Sequence, residues 1–386
     1  MFKAATISCK KPFSRNLGRG LGKSLVEKLG DTPQAAWLFC APEKGLKDLL
    51  GGINDALGIR NIIGCTTDGE ISSDGFRTDS AVLGGIVSDQ IDFHLASVKD
   101  LGQDCERAGI TLAAKLPENV KYMQLFSDGL TGNGCAILRG LESVLDKTIP
   151  VCGGTAGDAG RFRRTWQFAG NRVFSNGAVA IGFSGNFQVG TGASSGWSPI
   201  GLAKKVTRSV DNILYELNGE PALNVYERAL GKHASKLPAV GVEYPLGLVT
   251  ERGAEGEKDY LLLRATMSVN RKEGAISFAG EIPEGSTVHI CCGDSASLLE
   301  AAKKAGRLAL ADLHGRRPVM IFIYSCMARR LILGRQVEEE INCIREAVGP
   351  DLPVLGFYTY GEYGRIKKGG PNRLQNETVT VSVIGL

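Results

Sequence analysis

Three times along the chain, apolar runs with no polar alternation frame a helical stretch and close on a glycine-punctuated segment tipped by an acid. The first pass reads AAWLFC (35–40), a helix, IIGCTTDGEIS (62–72) and SAVLGGIVS (80–88). The second reads KYMQLFSDG (121–129), a helix, PVCGGTAGDAG (150–160) and GAVAIGFSG (177–185). The third reads VMIFIYSC (319–326), a helix, PVLGFYTYGEYG (353–364) and ETVTVSVIG (377–385). A further strand and helix precede each pass, so that KAATISC, IDFHLASVKD and STVHICCGD open the three units. Runs such as VMIFIY and AVAIGF are apolar at successive positions, as in central strands covered on both faces. Apolar spacing near the helical period predicts helices at about 20–30, 44–57, 103–116 and 134–146, the last carried by Ala136, Ile137, Leu141, Val144 and Leu145. The expected class is α/β, of mixed α+β type, made of repeated strand-helix-strand-helix-strand-strand units.

A repeat of this size places its turns in equivalent positions, which makes Glu70, Asp158 and Glu362 the matching acids and suits a ligand pocket. Between the second and third units, 187–280 reads differently. Strand-like FQVGTGASS, AKKVTRSV and NILYELN precede a short helix, PALNVYERAL, with Pro221 in its favoured first-turn position. Strand LGLVT, a polar Gly-rich loop at 251–258 and a hairpin follow, and the third unit resumes at Glu281. The expected boundary lies near 231–245, separating 1–230 from 240–386.

The chain has 386 residues, 43% of them apolar, enough for a large core. Net charge is +4 and the basic residues fall in scattered doublets, including Arg163-Arg164, Lys204-Lys205 and Arg329-Arg330. Nucleic acid needs a basic face with interleaved aromatics, and aromatic content here is 7%. No run of about 18 apolar residues exists to insert in a membrane. The N-terminal MFKAATISCKK reads as a strand, so the expected location is the cytoplasm. Ten cysteines, none in Cys-x-x-Cys spacing, fit free thiols in a reducing compartment.

Individual motifs are weak. Gly18, Gly20, Gly22, Lys23 and Ser24 resemble a phosphate loop, but Leu17 stands where its first glycine belongs. Gly192-Ala193-Ser194-Ser195-Gly196 matches the spacing of a nucleophile elbow, yet a strand follows where a helix is needed. Glu70, Asp158 and Glu362 either converge for acid/base or cation chemistry or cap their own turns. Of the four histidines, His94 and His289 take equivalent slots in opening strands, and His314 sits at a helix end. His233 lies outside the repeats and is the first choice for a haem ligand. Cys291-Cys292 beside His289 is a weaker metal candidate.

On its turn segments the chain resembles the FIST family of sensory domains over nearly its full length. The N-terminal pattern is carried by Gly64-Cys65-Thr66-Thr67-Asp68-Gly69-Glu70-Ile71, Gly153-Gly154-Thr155-Ala156-Gly157-Asp158, Thr165-Trp166-Gln167-Phe168, Gly177-Ala178-Val179-Ala180 and Asn218-Gly219-Glu220-Pro221-Ala222-Leu223. Ser325-Cys326 with Arg329 and Gly334, Gly356 to Glu362, and Asn376-Glu377-Thr378 carry the C-terminal pattern. The resemblance implies two FIST regions and small-ligand sensing, with amino acids or related metabolites as proposed ligands. It extends to stand-alone chains that bind haem, sense nitric oxide and signal through a histidine kinase or a cyclic di-GMP enzyme. With no output segment after Leu386, this chain is expected to act through such a separate partner.

The expectation is therefore a non-enzymatic sensor. Gly64, Gly153, Gly154, Gly157 and Gly361 would admit a ligand close to the backbone. Cys65, Thr66, Glu70, Thr155, Asp158, Ser325, Cys326, Arg329, Tyr360 and Glu362 would contact it, with haem on His233 as the specific version. The alternative is an enzyme using these acids, with Cys65 or Cys326 as nucleophile and Arg329 lowering the pKa of Cys326.

Overall fold

The computed structural model describes residues 1–251 and 260–386; most of the polar loop expected at 251–258 lies outside them. Unit one comprises β1 (Phe2–Lys10), α1 (Arg15–Leu29), β2 (Ala35–Cys40), α2 (Leu46–Leu57), β3 (Ile62–Thr66), the hairpin β4 (Glu70–Ser72) and β5 (Gly75–Arg77), and β6 (Ser80–Ser88). Unit two repeats the order: β7 (Ile91–Lys99), α3 (Cys105–Ala113), β8 (Tyr122–Ser127), α4 (Gly134–Glu142), β9 (Val151–Thr155), β10 (Gln167–Ala169), β11 (Arg172–Phe174) and β12 (Gly177–Gly185).

Unit three opens with β13 (Gln188–Ser194) and is then interrupted. The interruption holds β14 (Ser198–Val210), β15 (Ile213–Leu217), β16 (Glu220–Pro221), α5 (Ala222–Leu230), β17 (Leu246–Glu251), β18 (Tyr260–Arg264), β19 (Thr266–Asn270), β20 (Ala275–Phe278) and β21 (Thr287–Cys292). The unit resumes with α6 (Ser295–Ala311), β22 (Pro318–Cys326), α7 (Met327–Leu333), α8 (Val337–Val348), β23 (Val354–Thr359), β24 (Glu362–Arg365), β25 (Asn372–Gln375) and β26 (Val379–Gly385).

Three sheets follow one rule. Their orders are β1-β6-β2-β3-β10-β11, β7-β12-β8-β9-β24-β25 and β13-β26-β22-β23-β4-β5. The second and third strands of each unit pair in parallel, and its opening and closing strands pair antiparallel. The outermost hairpin always comes from another unit: unit two lends to one, three to two, and one to three. The three sheets are thus closed on one another by exchange. The fourth sheet, β18-β17-β21-β14-β15-β20-β19 with β16 on β15, belongs to the interruption.

Burial follows from this plan. The inner faces of the three sheets meet in one aromatic core, with Trp37 5.4 Å from Phe322, Phe39 5.2 Å from Phe126 and Phe126 5.8 Å from Tyr324 between ring centres. Each outer face is covered by its own helices, and those layers form separate apolar clusters. Strands covered on both faces must be apolar at nearly every position, which is why AAWLFC and YMQLFS are buried throughout.

The topology corrects several sequence expectations. The third unit opens with 188–194, and STVHICC becomes β21 of the fourth sheet. The opening strand was inconspicuous because its helix-facing positions are glycines: a Cβ on Gly190 would stand 1.9 Å from the Ala309 carbonyl oxygen, and one on Gly192 2.1 Å from that of Ala305. His94 and His289 consequently lose their equivalence; His94 Nε2 lies 2.9 Å from Ser184 Oγ on β12, while His289 sits in β21. Gly18, Gly20 and Gly22 fall inside α1, which starts at Arg15 behind the Ser14 cap, so they form no phosphate loop. A Cβ on Gly18 would sit 2.2 Å from the Leu49 carbonyl oxygen, so that position serves the close crossing of α1 and α2.

Candidate functional site

Gly64, Gly153 and Gly356 hold the same place in the three units. Each lies on the third strand opposite Leu38, Leu125 or Ile323, so close that a Cβ would meet that residue's carbonyl oxygen at 1.8, 2.1 or 1.8 Å. Counting from these glycines, Glu70 and Glu362 are six residues on, whereas Asp158 is five. The pairing of Glu70 with Glu362 holds and that of Asp158 does not.

The side chains agree. Glu70 Oε1 accepts from Thr67 Oγ1 at 2.5 Å and Oε2 from Ser80 Oγ at 2.5 Å. Glu362 accepts from the Thr359 hydroxyl and, at 3.2 Å, from the Thr378 amide. Burial pushes both carboxyls up, Glu70 to about 7 and Glu362 to about 8, against the lowering effect of those hydrogen bonds. Asp158 moves the other way: burial raises it, but the Tyr360 hydroxyl and the amides of Arg163, Arg164 and Phe162 outweigh that and hold it below the usual range.

The three turns form a closed backbone ring. Asp68 N donates to Tyr358 O at 2.9 Å, Gly157 N to Thr66 O at 3.0 Å and Thr155 N to Gly361 O at 2.7 Å. Thr66 also takes the Trp166 amide on Oγ1 at 3.0 Å. Gly154 and Gly157 permit this contact, since a Cβ on either would stand 2.4 Å from Thr359 Cγ2 or 2.8 Å from Asp68 N. Tyr360 Oη receives the amides of Asp158 at 3.1 Å and Gly160 at 3.0 Å, locking turn three to turn two. The predicted corners do converge, but most of their polar groups are spent on one another.

Open space remains beside turn one. A cleft of about 200 Å³ is lined by Ala41, Thr67, Asp68, Gly69, Glu70, Thr78, Asp79, Ala159 and Arg330. All three units contribute. Arg330, in the last turn of α7, stands 3.0 Å from Asp68 Oδ2, and its Nη1 donates to the Asp68 carbonyl oxygen. Among the described residues neither Asp68 carboxylate oxygen accepts a well-directed hydrogen bond, because that guanidinium is aimed at the backbone. Burial raises the Asp68 carboxyl to about 6, with Arg330 opposing and Asp158 adding to the rise.

Of the residues expected at the site, only Glu70 borders this cleft. Cys65 lies in the aromatic core and Cys326 is buried; burial pushes both thiols well above their ordinary value, the reverse of activation. Arg329 is fully buried and points away, its Nε 2.6 Å from Glu340 Oε1, with Ser325 Oγ and Tyr358 Oη on the same carboxylate at 2.9 and 2.5 Å. Sequence reading missed Asp68, Asp79 and Arg330. Asp68 lies inside the first turn, and Arg330 stands in one of the scattered basic doublets, which carry no signal of a site.

Haem finds no axial donor on this cleft, whose lining has no His, Cys, Met or Tyr. His233 is half-buried on the interrupting segment, its ring 6.4 Å from that of Tyr244. Among the described residues no three His, Cys, Asp or Glu side chains form a metal cluster, the Cys291-Cys292-His289 set included. No helix among them is long and apolar enough to cross a membrane.

Fold and site together define a mixed α/β protein of three interlocked units with a small charged cleft where their turns meet. The chain carries a FIST N domain over residues 34–220 and a FIST C domain over 222–365, and so belongs to the FIST family. An uncharacterized protein of Methanocaldococcus jannaschii is 25% identical over 392 residues, covering 89% of this chain and 72% of that one. Among solved structures, a cyanuric acid hydrolase from A. caulinodans matches with 9% identity and TM-score 0.35, covering 100% of this chain and 99% of that one. T. maritima PurL complexed with ATP matches with 11% identity and TM-score 0.23, covering 100% and 71%.

Proposed function

We propose that this chain is a small-ligand sensor whose cleft takes a compact zwitterion of the amino-acid class and reports its presence to a separate signalling partner. The observation that carries this reading is the opposition of Arg330 to Asp68 across a cleft built from all three units. A guanidinium suits a ligand carboxylate, and Asp68, with Asp79 beside it, suits an ammonium group. The volume is below the roughly 300–1,000 Å³ of drug-sized sites, which favours a small metabolite. A ligand that draws Arg330 off the Asp68 backbone changes the contact between units three and one, the differential interaction that a two-state response requires. The partner is a histidine kinase or cyclic di-GMP enzyme, as the family resemblance suggests.

A second reading rests on a specific observation. Asp68 and Glu70 share one cleft with carboxyls raised to about 6 and about 7, a range suited to proton transfer at neutral pH. Thermal melting against a panel of amino acids, amines and carboxylic acids separates the readings. The sensor predicts stabilisation by amino acids over either half-molecule and an unchanged ligand after incubation. Equal response to all three classes removes the zwitterion assignment.

A further inference from the structure

The corner just before the last strand of each unit is left-handed: Asp79, Asn176 and Glu377 have φ of 52°, 53° and 60°. Two of the three have evident polar partners. Asp79 is 2.8 Å from Lys11 Nζ. Asn176 Oδ1 accepts from Gly102 N at 3.0 Å and from Thr131 Oγ1 at 3.2 Å. Glu377 is fully buried, and among the described residues neither of its carboxylate oxygens has a hydrogen-bond partner.

Its surroundings make the contrast sharper. Asn376, 1% exposed, has its Oδ1 equally unpartnered while its Nδ2 donates to Tyr360 O at 3.4 Å. Glu362, also fully buried, is tied to the same corner through the Thr378 amide, and its charge adds to the burial that pushes Glu377 up. The buried cation of this region, Arg329, is already committed to Glu340, the Leu298 carbonyl at 2.8 Å and the Ser195 carbonyl. Arg329 lies close enough for its charge to oppose the rise in Glu377, but it donates nothing to that carboxylate. A buried carboxylate without a donor is disfavoured and calls for an ion, a water or a proton.

We propose that Glu377, with Asn376 Oδ1 and Glu362, binds a hard divalent cation of the Mg²⁺ or Ca²⁺ class behind turn three. The donors are all oxygens, the set such cations prefer, and two carboxylates neutralise a double charge. With an amide oxygen as the third donor, the site needs no cluster of three His, Cys, Asp or Glu side chains, and none exists among the described residues. Because Asn376 holds the Tyr360 carbonyl and Glu362 follows Gly361, the ion fixes turn three and hence the tyrosine that engages Asp158. The cation site stands whatever ligand the cleft takes.

The full chain, stripped with EDTA and melted with and without added Mg²⁺ or Ca²⁺, tests this, alongside its metal content as purified. The expected result is a rise in melting temperature with one of the two ions, reversed by EDTA, and near-stoichiometric metal. Glu377→Gln should abolish the rise without lowering the EDTA-treated midpoint. If that variant does not fold, terbium luminescence excited through tyrosine on the wild-type chain decides the matter; the signal should be saturable and competed by Ca²⁺. A midpoint and terbium signal indifferent to all these ions, or an equal rise in Glu377→Gln, overturns the cation and leaves a protonated carboxyl in its place.

Discussion

Arg330 from the third unit stands 3.0 Å from Asp68 of the first, and its guanidinium is spent on the Asp68 backbone while the carboxylate it faces lacks a directed donor. This is an interaction with capacity left over. In the proposed sensor, a ligand with its own cation and anion would give each partner a directed contact.

The raised carboxyls fix a pH dependence. Glu70 goes from an ordinary 4.5 to about 7, and Asp68 from 3.8 to about 6. Each binds more protons folded than unfolded between those limits, so their contribution to stability is present at the acid end and lost as pH rises through the folded value. Glu70→Gln removes a group that opposes folding at neutral pH. Its melting temperature, followed from pH 5 to 8, should decline less steeply than that of the wild type; parallel curves would count against the assignment.

Gly356 and Gly20 make a paired test of close approach. A Cβ at Gly356 would meet Ile323 O at 1.8 Å, while nothing lies within 4 Å of one at Gly20 on α1. Gly356→Ala should destabilise by several kcal/mol or prevent folding, as overpacking against backbone does. Gly20→Ala should stabilise by about 0.5–1 kcal/mol through helix propensity. Urea denaturation of both variants measures the difference.

The unbroken apolar runs made β2, β8 and β22 legible in the sequence, because strands covered on both faces leave few polar positions. Gly64 and Gly153 stand out in the sequence as places for a ligand, whereas each fits its strand against the carbonyl of Leu38 or Leu125 and neither lines the cleft. What the sequence could not display was exchange: nothing in Glu70–Ser72 says that it pairs with Leu355–Phe357 of the third unit. Gly190 and Gly192 remove the apolar signal of β13, so in sequence the more hydrophobic β21 looks more like an opening strand. Arg329 and Arg330 illustrate the limit at a site, since adjacent residues of one short helix meet opposite fates, one buried on Glu340 and the other on the cleft.

Thiol reactivity separates the sensor from a thiol enzyme. Cys65 and Cys326 are buried with their thiols pushed well above the ordinary value. Under native conditions both should resist a disulfide reagent, while Cys9, Cys105, Cys135, Cys292 and Cys343, partly exposed, are the candidates to react. Peptide mapping of the labelled chain checks this, and rapid labelling of Cys326 would contradict it.

Haem is tested by titrating haemin into the chain and into His233→Ala. The cleft lining offers no axial donor, so no stoichiometric Soret band is expected from it in either protein. A saturable band lost in the variant would establish His233 as a ligand.

The most direct measurement is calorimetric titration of the best amino acid from the melting panel into wild type, Asp68→Asn and Arg330→Gln. Losing a charge-assisted bond worth about 1.5–3 kcal/mol should weaken binding roughly ten- to a hundredfold in each variant, with both still folded. Equal affinity in all three proteins would place the ligand elsewhere and contradict the cleft as the sensing site.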